Sequence, residues 1–295
     1  MCLKVKANAK INLGLKVVGR RTDGFHDIHS VFQEVSLGDE VELERLHQGK
    51  IDVVCPSSVI PDGRNNLAYK AADALREAAA RTDLGAKITI HKQIPVGGGL
   101  GGGSADAAQV LVALNVMWEL EFSTQRLMDI GSSVGSDVPF LVQGGTAAVS
   151  GRGEVLQGID LSGDLWFVLV SPGFSVSTPW AFGKLNIELT SEGPYIRFLN
   201  SVRASGEVDL LDLISRVEND FLPLVSARYP SIQRILSVFR DAGALGTSMS
   251  GTGATLYGGF ALHDDAQKAI ACLQRQGYQT FLCKPVRRPS TESVR

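Results

Sequence analysis

Residues 95–108 read PVGGGLGGGSADAA, and no other stretch of this 295-residue chain says as much about its fold. Glycine fills six of the seven positions from Gly97 to Gly103. Lacking a Cβ, glycine takes positive φ freely and lets another molecule approach the backbone closely. Each glycine also costs roughly 0.5–1 kcal/mol of chain entropy, so a mere turn has no use for so many. A helical pattern follows at once, with Ala105, Ala108, Leu111, Val112, Leu114 and Val116 as its apolar positions and Ser104 as its N-cap. A helix start presents unpaired N–H groups and the positive end of the helix dipole, and phosphate is the usual occupant of such a site. Asp106 falls in the first turn, where it suits the dipole but repels a phosphate. It is expected to point aside or to meet a metal through water.

Familiar phosphate loops fit poorly. A Walker loop needs a lysine after its last glycine, and here Ser104 and Ala105 follow Gly103. The G-x-G-x-x-G pattern matches at Gly97, Gly99 and Gly102, a weak match in so glycine-rich a run. A dinucleotide fold would place it after the first strand with an acid about 20 residues on. Glu119 or Glu121 could serve, yet at least two strand patterns precede the loop. The V-A-I-K, H-R-D and D-F-G motifs of protein kinases are missing.

The length suits two domains or one large one. Hydrophobic content of 44% and charged content of 20% are those of a globular protein. A net charge of −2, from 29 basic and 31 acidic residues, gives no electrostatic case for nucleic-acid or membrane binding. Cys2, Cys55, Cys272 and Cys283 have no metal or CxxC spacing and read as free thiols of a cytoplasmic protein. His26 and His29 find no third ligand nearby, so no metal site is expected from them. The opening MCLKVKANAK has no apolar signal core, and no apolar run nears the 18 or so residues of a membrane span.

The opening strand is legible by its alternation. Leu3, Val5, Ala7, Ala9, Ile11, Leu13, Leu15 and Val17 are apolar, whereas Lys4, Lys6, Asn8, Lys10, Asn12 and Lys16 are polar. Period-two alternation puts the two sets on opposite faces, with Lys10 and Asn12 pointing the same way. Further on, the pattern predicts a turn at Arg20–Gly24 and a strand over 31–46 interrupted at Gly38-Asp39. A helix over 66–80 and a strand over 86–94 follow. After the glycine loop come a helix over 124–133, a tight loop at Gly135–Pro139, and a strand over 146–156 broken at Gly151–Gly153. A buried strand over 165–170 and a long helical stretch over 178–242 lead to a second glycine-rich loop at 246–254. A strand over 255–260, a helix over 264–276 and a strand over 278–283 complete the chain. Such alternation means α/β or α+β layers.

Three segments together carry a family signature: the lysine-bearing opening strand, PVGGGLGGGSADAA, and SMSGTGATLYGGF at 248–260. The chain resembles the GHMP kinases, the superfamily of galactokinase, homoserine kinase, mevalonate kinase and phosphomevalonate kinase. AKINLGLKVVGRRTDGFHDIHSVFQEVSLGDEVEL (9–43), GSDVPFLVQGGTAAVSGRGE (135–154) and PGFSVSTPWAF (172–182) resemble one branch of it. That branch phosphorylates 4-diphosphocytidyl-2-C-methyl-D-erythritol in the non-mevalonate isoprenoid pathway. The resemblance implies an α+β fold of two domains with the site in the cleft between them. Residues 1–155 would form a ribosomal-protein-S5-like, ATP-binding domain and 156–288 a ferredoxin-like α/β sandwich, with 289–295 a disordered tail. It implies ATP and Mg²⁺, a small-molecule acceptor, no nucleic-acid or membrane partner, and a monomer or homodimer. Transfer to homoserine, mevalonate or a sugar stays open as the alternative, as does a nucleotide-binding sensor without turnover.

Site residues follow from the same resemblance. Asp137 matches the catalytic aspartate and Lys10 the lysine beside it. Local sequence alone leaves Asp137 open as a turn or N-cap residue ahead of Pro139, and periodicity does not choose Lys10 over Lys6. Pro95, Val96 and the run Gly97, Gly98, Gly99, Leu100, Gly101, Gly102, Gly103 and Ser104 would hold the ATP phosphates, with Ser104 near phosphate or Mg²⁺. Asn66, Leu67 and Lys92 match positions lining the adenine pocket; a helix start, a core leucine and an exposed lysine are their plainer readings. Phe25, His26, Thr178 and Phe182 match positions around the cytidine, with core packing the alternative for both phenylalanines. The family often has tyrosine at the position of Phe25; stacking survives that change and the hydroxyl's hydrogen bond does not. Asn12 would touch the acceptor near Lys10, and Ser250, Gly251, Thr252 and Gly253 would close over its phosphates.

Overall fold

A computed structural model describes residues 2–47, 49–56, 63–185 and 193–288; the expected tail at 289–295 lies outside them. The chain forms two compact units, each assembled from separated stretches. The first comprises residues up to Lys10, Leu37–Val96 and Gly101–Gly144, and the second Ile11–Ser36, Gly97–Leu100 and Gly145 onward. Two long strands, β1 (Cys2–Arg20) and β2 (His26–Leu46), contribute residues to both units.

In the first unit β2 pairs antiparallel with β4 (Gly85–His91), which pairs in parallel with β3 (Ile51–Val54). A 3₁₀ turn at Gly63–Asn65 leads into α1 (Leu67–Ala78), whose N-cap Asn66 accepts from the N–H of Ala68 at 2.8 Å. That cap satisfies one of the orphan donors of the first turn. Four buried positions, Ala68, Ala71, Ala72 and Leu75, form a small-residue stripe along which α1 packs on α2 (Gly102–Met117). Short side chains let two helices approach closely. α3 (Thr124–Ser132) and α4 (Val138–Gln143) pack against each other and against α2.

The second unit holds the hairpin β5 (Thr146–Ser150) and β6 (Val155–Gly158), with β5 antiparallel to residues 30–33 of β2. β7 (Asp160–Ser162) pairs in parallel with β9 (Glu207–Asp209). Its main sheet is antiparallel, in the order β10 (Gly246–Met249), β11 (Leu256–Phe260), β8 (Trp166–Ser171), β12 (Gln279–Cys283). Among the described residues, five helices lie between β8 and β10: α5 (Thr178–Lys184), α6 (Pro194–Ser205), α7 (Leu210–Ser215), α8 (Phe221–Arg228) and α9 (Ser231–Asp241). α9 and α10 (His263–Arg275) pack on the sheet and on each other, and Ile235, Phe239, Phe260, Ala269 and Leu273 are among the side chains of that core.

Several sequence expectations need correction. β2 is not interrupted at Gly38-Asp39: the glycine lies within the strand because a Cβ there would meet the carbonyl of Ala7 at 2.9 Å. Close backbone approach, not a break, is what that glycine serves. The glycine helix begins three residues early, with Gly101 as N-cap at φ 68°, so Ser104 sits inside its first turn. The tight loop at 135–139 gives way to α4 from Val138 onward, and the second glycine-rich loop is a strand as far as Met249. The broken strand at 146–156 is a hairpin turned at Gly151–Gly153, and the four cysteines are free thiols. Among the described residues no helix is long and apolar enough to cross a membrane.

Candidate active site

The sequence-predicted residues fall into two groups, one in each unit. In the first unit Lys10 and Asp137 meet, with Nζ 3.4 Å from Oδ2; the lysine side chain is 6% exposed and the carboxylate 30%. Asp137 occupies the N-cap position of α4, but its side chain caps nothing. The carboxylate is therefore free of helix duty and turns to Lys10. Lys6, the other candidate by periodicity, is exposed, whereas Lys10 is buried. Gly101 sits directly against the pair. A Cβ there would fall 3.2 Å from Lys10 Cγ and 3.5 Å from Asp137 Oδ2.

The first turn of α2 continues this group. Gly102 and Gly103 lie so close to Ile94 and Leu67 that an added Cβ would meet their methyl groups at 3.0 and 3.4 Å. Ser104 faces the turn before α4, its Oγ 3.6 Å from where a Cβ of Gly135 would stand. Among the described residues, no protein acceptor takes the backbone N–H groups from Gly97 to Ser104. Those donors are the ones that an anion would satisfy. Val96 is 53% exposed beside them, and Pro95 is partly buried.

Lys92 is not an exposed lysine. Its ammonium is buried between two carboxylates, 2.5 Å from Asp39 Oδ2 and 2.8 Å from Asp106 Oδ2. Asp39 Oδ1 also accepts from the N–H groups of Gln93 and Ile94. Burial pushes the Lys92 ammonium down, but Asp106 and Asp39 outweigh it and hold it above the usual range. Burial, opposed by Lys92 and reinforced by Asp39, pushes Asp106 up to about 7. Asp106 thus points aside, into the interior. The ammonium end of Lys92 is occupied, which leaves its backbone and stem for any contact with a nucleotide.

In the second unit Gly97–Leu100 packs on Ser250–Gly253. The Ser250 hydroxyl donates to the Gly99 carbonyl at 2.8 Å, and the Thr255 N–H donates to the Gly98 carbonyl at 3.1 Å. Gly99 has φ 77°, and a Cβ there would collide with the Ser250 carbonyl at 2.5 Å. Asn12 joins this group: its N–H donates to Ser250 Oγ at 3.2 Å and its amide donates to Ser30 Oγ at 3.1 Å. Thr252 Oγ1 lies 3.0 Å from Thr178 Oγ1. His26 stacks on Phe182 with centroids 5.0 Å apart, and Phe182 packs edge-on against Phe221. Phe25, by contrast, is not a core residue, being 56% exposed.

Two contributors escaped the sequence. Asn219 is buried and donates from Nδ2 to the carbonyls of Met249 and Gly251 at 2.7 and 2.9 Å. It shapes the 250–253 turn from a segment that reads only as polar and helical. Asp39 was hidden in an apparent strand break. A buried carboxylate is visible only through the partner that neutralises it, here Lys92, 53 residues away. Glu40, Glu42 and His91 group on the surface of the β2–β4 ladder, where the Lys4 ammonium lies 2.5 Å from Glu42 and neutralises it.

Comparison with known proteins fits this geometry. The model of the GHMP kinases N terminal domain matches residues 66–145, and that of the GHMP kinases C terminal matches residues 206–279. The chain belongs to the GHMP kinases and is an ATP-dependent small-molecule kinase of their two-domain α+β fold. The 4-diphosphocytidyl-2-C-methyl-D-erythritol kinase of Citrifermentans bemidjiense is 40% identical over 269 residues, 91% of this chain and 93% of that protein. Its counterpart in Pelotomaculum thermopropionicum is 39% identical over 284 residues, 96% of this chain and 98% of that one. A crystal structure of 4-(cytidine 5'-diphospho)-2C-methyl-D-erythritol kinase matches with a TM-score of 0.80 at 33% identity, covering 96% of this chain and 99% of that one. Homoserine kinase from Cytophaga hutchinsonii, 19% identical, shares the fold at a TM-score of 0.75 over 97% of this chain and 94% of its own. Within the GHMP kinases, then, the family is that of the 4-diphosphocytidyl-2-C-methyl-D-erythritol kinases.

Proposed function

We propose that the chain transfers the γ-phosphoryl group of ATP to the 2-hydroxyl of 4-diphosphocytidyl-2-C-methyl-D-erythritol, with Lys10 and Asp137 as its catalytic pair. The observation that carries this reading is their 3.4 Å contact beside the N-cap glycine of α2. Phosphoryl transfer asks little covalent chemistry of a protein; it needs an in-line hydroxyl, a proton acceptor and positive charge near the moving oxygens. The acceptor oxygen forms the new bond to phosphorus as the β–γ bridging bond breaks. The hydroxyl proton passes to the Asp137 carboxylate, and ADP leaves. Lys10, nearly buried, holds that carboxylate in place and stabilises charge on the transferred group.

Unpaired N–H groups from Gly97 to Ser104 and the helix dipole behind them would hold the triphosphate. Asn66 and Leu67 would border the adenine. A magnesium ion fits the donor chemistry: Mg²⁺ keeps several waters and takes few protein oxygens beside those of phosphate, and the Ser104 hydroxyl on the first turn of α2 is such an oxygen. Bound there, it would neutralise charge on the β- and γ-phosphates. Phe25 and the His26–Phe182 stack offer aromatic faces for a pyrimidine, with His26 able to hydrogen-bond its edge. Asn12, Thr178 and the Ser250–Gly253 turn would hold the remainder of the acceptor.

ATP-dependent phosphorylation across a panel of 4-diphosphocytidyl-2-C-methyl-D-erythritol, homoserine, mevalonate and galactose tests the proposal. Turnover of the cytidyl alcohol far above the others is the expected result. Turnover of another acceptor with none of the cytidyl alcohol would refute it.

A further inference from the structure

We propose that Arg152 is a positioning residue for the base end of the acceptor: its guanidinium backs the Phe25 ring so that the ring's other face meets the pyrimidine. The inference rests on the cytidyl reading above. Phe25 is 56% exposed, and its ring has no polar group by which the protein could orient it. Arg152 supplies that orientation, with Cζ 4.9 Å from the ring centroid. At this distance a planar guanidinium stacks on an aromatic face and is attracted by the ring quadrupole.

Backbone bonds anchor both partners. The Phe25 N–H donates to Asp23 Oδ1 at 3.1 Å, and its carbonyl accepts from the Arg21 N–H at 2.8 Å. On the other side, the Arg152 N–H donates to Glu154 Oε2 at 2.5 Å, and the Ile28 N–H donates to the Gly151 carbonyl at 2.7 Å. The Gly151–Gly153 turn, which reads in the sequence only as a break between strands, is thereby tied to the start of β2. The residue after Phe25 is fixed as well, since His26 stacks on Phe182. The Phe25 ring is exposed, and the guanidinium covers one of its faces. A base stacking there has the opposite face, in the order guanidinium, phenyl, pyrimidine.

Steady-state kinetics of wild type, R152A, F25A and the double variant test this. R152A is expected to raise KM for the cytidyl alcohol about two- to fivefold, the worth of an exposed cation–π contact. Its kcat, KM for ATP and melting temperature should stay at wild-type values. In the F25A background the R152A change should add nothing further, because Arg152 acts only through that ring. A full R152A effect on top of F25A would mean that Arg152 touches the acceptor itself, and would overturn the inference, as would an unchanged KM in R152A alone. Failure of the wild type to use the cytidyl alcohol would bring down the functional reading and this role together, and would show before any variant was made.

Discussion

Gly101→Ala probes the joint between the glycine loop and the Lys10–Asp137 pair. Gly101 has φ 68° and ψ 21°, the left-handed conformation, in which an alanine costs about 1–2 kcal/mol. The new methyl would also stand 3.2 Å from Lys10 Cγ, tighter than ordinary contact, with Asp137 Oδ2 and Leu141 Cδ1 each at 3.5 Å. Lys10 must give by a few tenths of an ångström. Misplacing a reacting group by 1 Å can cost about 100-fold, so a shift of this size should lower kcat roughly 3–10-fold. The backbone strain should lower the melting temperature by roughly 2–3 °C. Gly103→Ala is the control. Gly103 lies in the helix at ordinary φ, and its Cβ would meet only the flexible Leu67 Cδ1 at 3.4 Å. Alanine there should be neutral or stabilising, by up to about 1 kcal/mol. Thermal melts and steady-state kinetics of both variants decide the matter. A G101A enzyme that melts and turns over like the wild type, or a G103A enzyme that melts as low as G101A, would refute the reasoning.

Further outcomes can be measured on the same enzyme. Asp137→Asn should leave ATP binding intact in a calorimetric titration while kcat falls at least ~100-fold, about 2.7 kcal/mol of barrier; near-normal turnover would remove Asp137 from its role. Asp106 has its pKa raised from 3.8 to about 7, so between those values the folded state holds a proton that the unfolded state has released. Stability from this group therefore falls as pH rises through that window. Asp106→Asn should match the wild type near pH 4 and gain on it progressively up to about pH 7, as read by denaturant melts; parallel curves would contradict the assignment. Asn219→Ala leaves two carbonyls of the 249–251 turn without their donor, at a cost of about 1–3 kcal/mol. Its melting temperature should drop and KM for the acceptor should rise, and a change in neither would show the turn to be held by other contacts.

Much of the fold was legible because local patterns and tertiary demands agree. Period-two alternation along β1, the Asn66 cap of α1, and the ends of α3 and α10 all express rules that operate within a few residues. The glycine run was legible as a place of close backbone approach, and in the structure Gly99, Gly101 and Gly102 stand against Ser250, Lys10 and Ile94. Errors came where one residue type serves two purposes. Gly38 signals a break on its own and proves to be a close-packing residue within β2. Ser104 is a fine cap in isolation, yet Gly101 in the left-handed conformation opens the helix earlier.

Sequence by itself determined the glycine run ahead of α2, the alternating strand that carries Lys10, and the family that unites them, because each depends on residue types at short, fixed spacing. Only the tertiary structure set Lys10 against Asp137 and left Lys6 exposed, freed Asp137 from capping α4, buried Lys92 between Asp39 and Asp106, and brought Asn219 to the 249–251 turn. Charge neutralisation and hydrogen-bond satisfaction in a buried site are met by whichever groups folding brings within about 3 Å, and sequence separation carries no record of that distance.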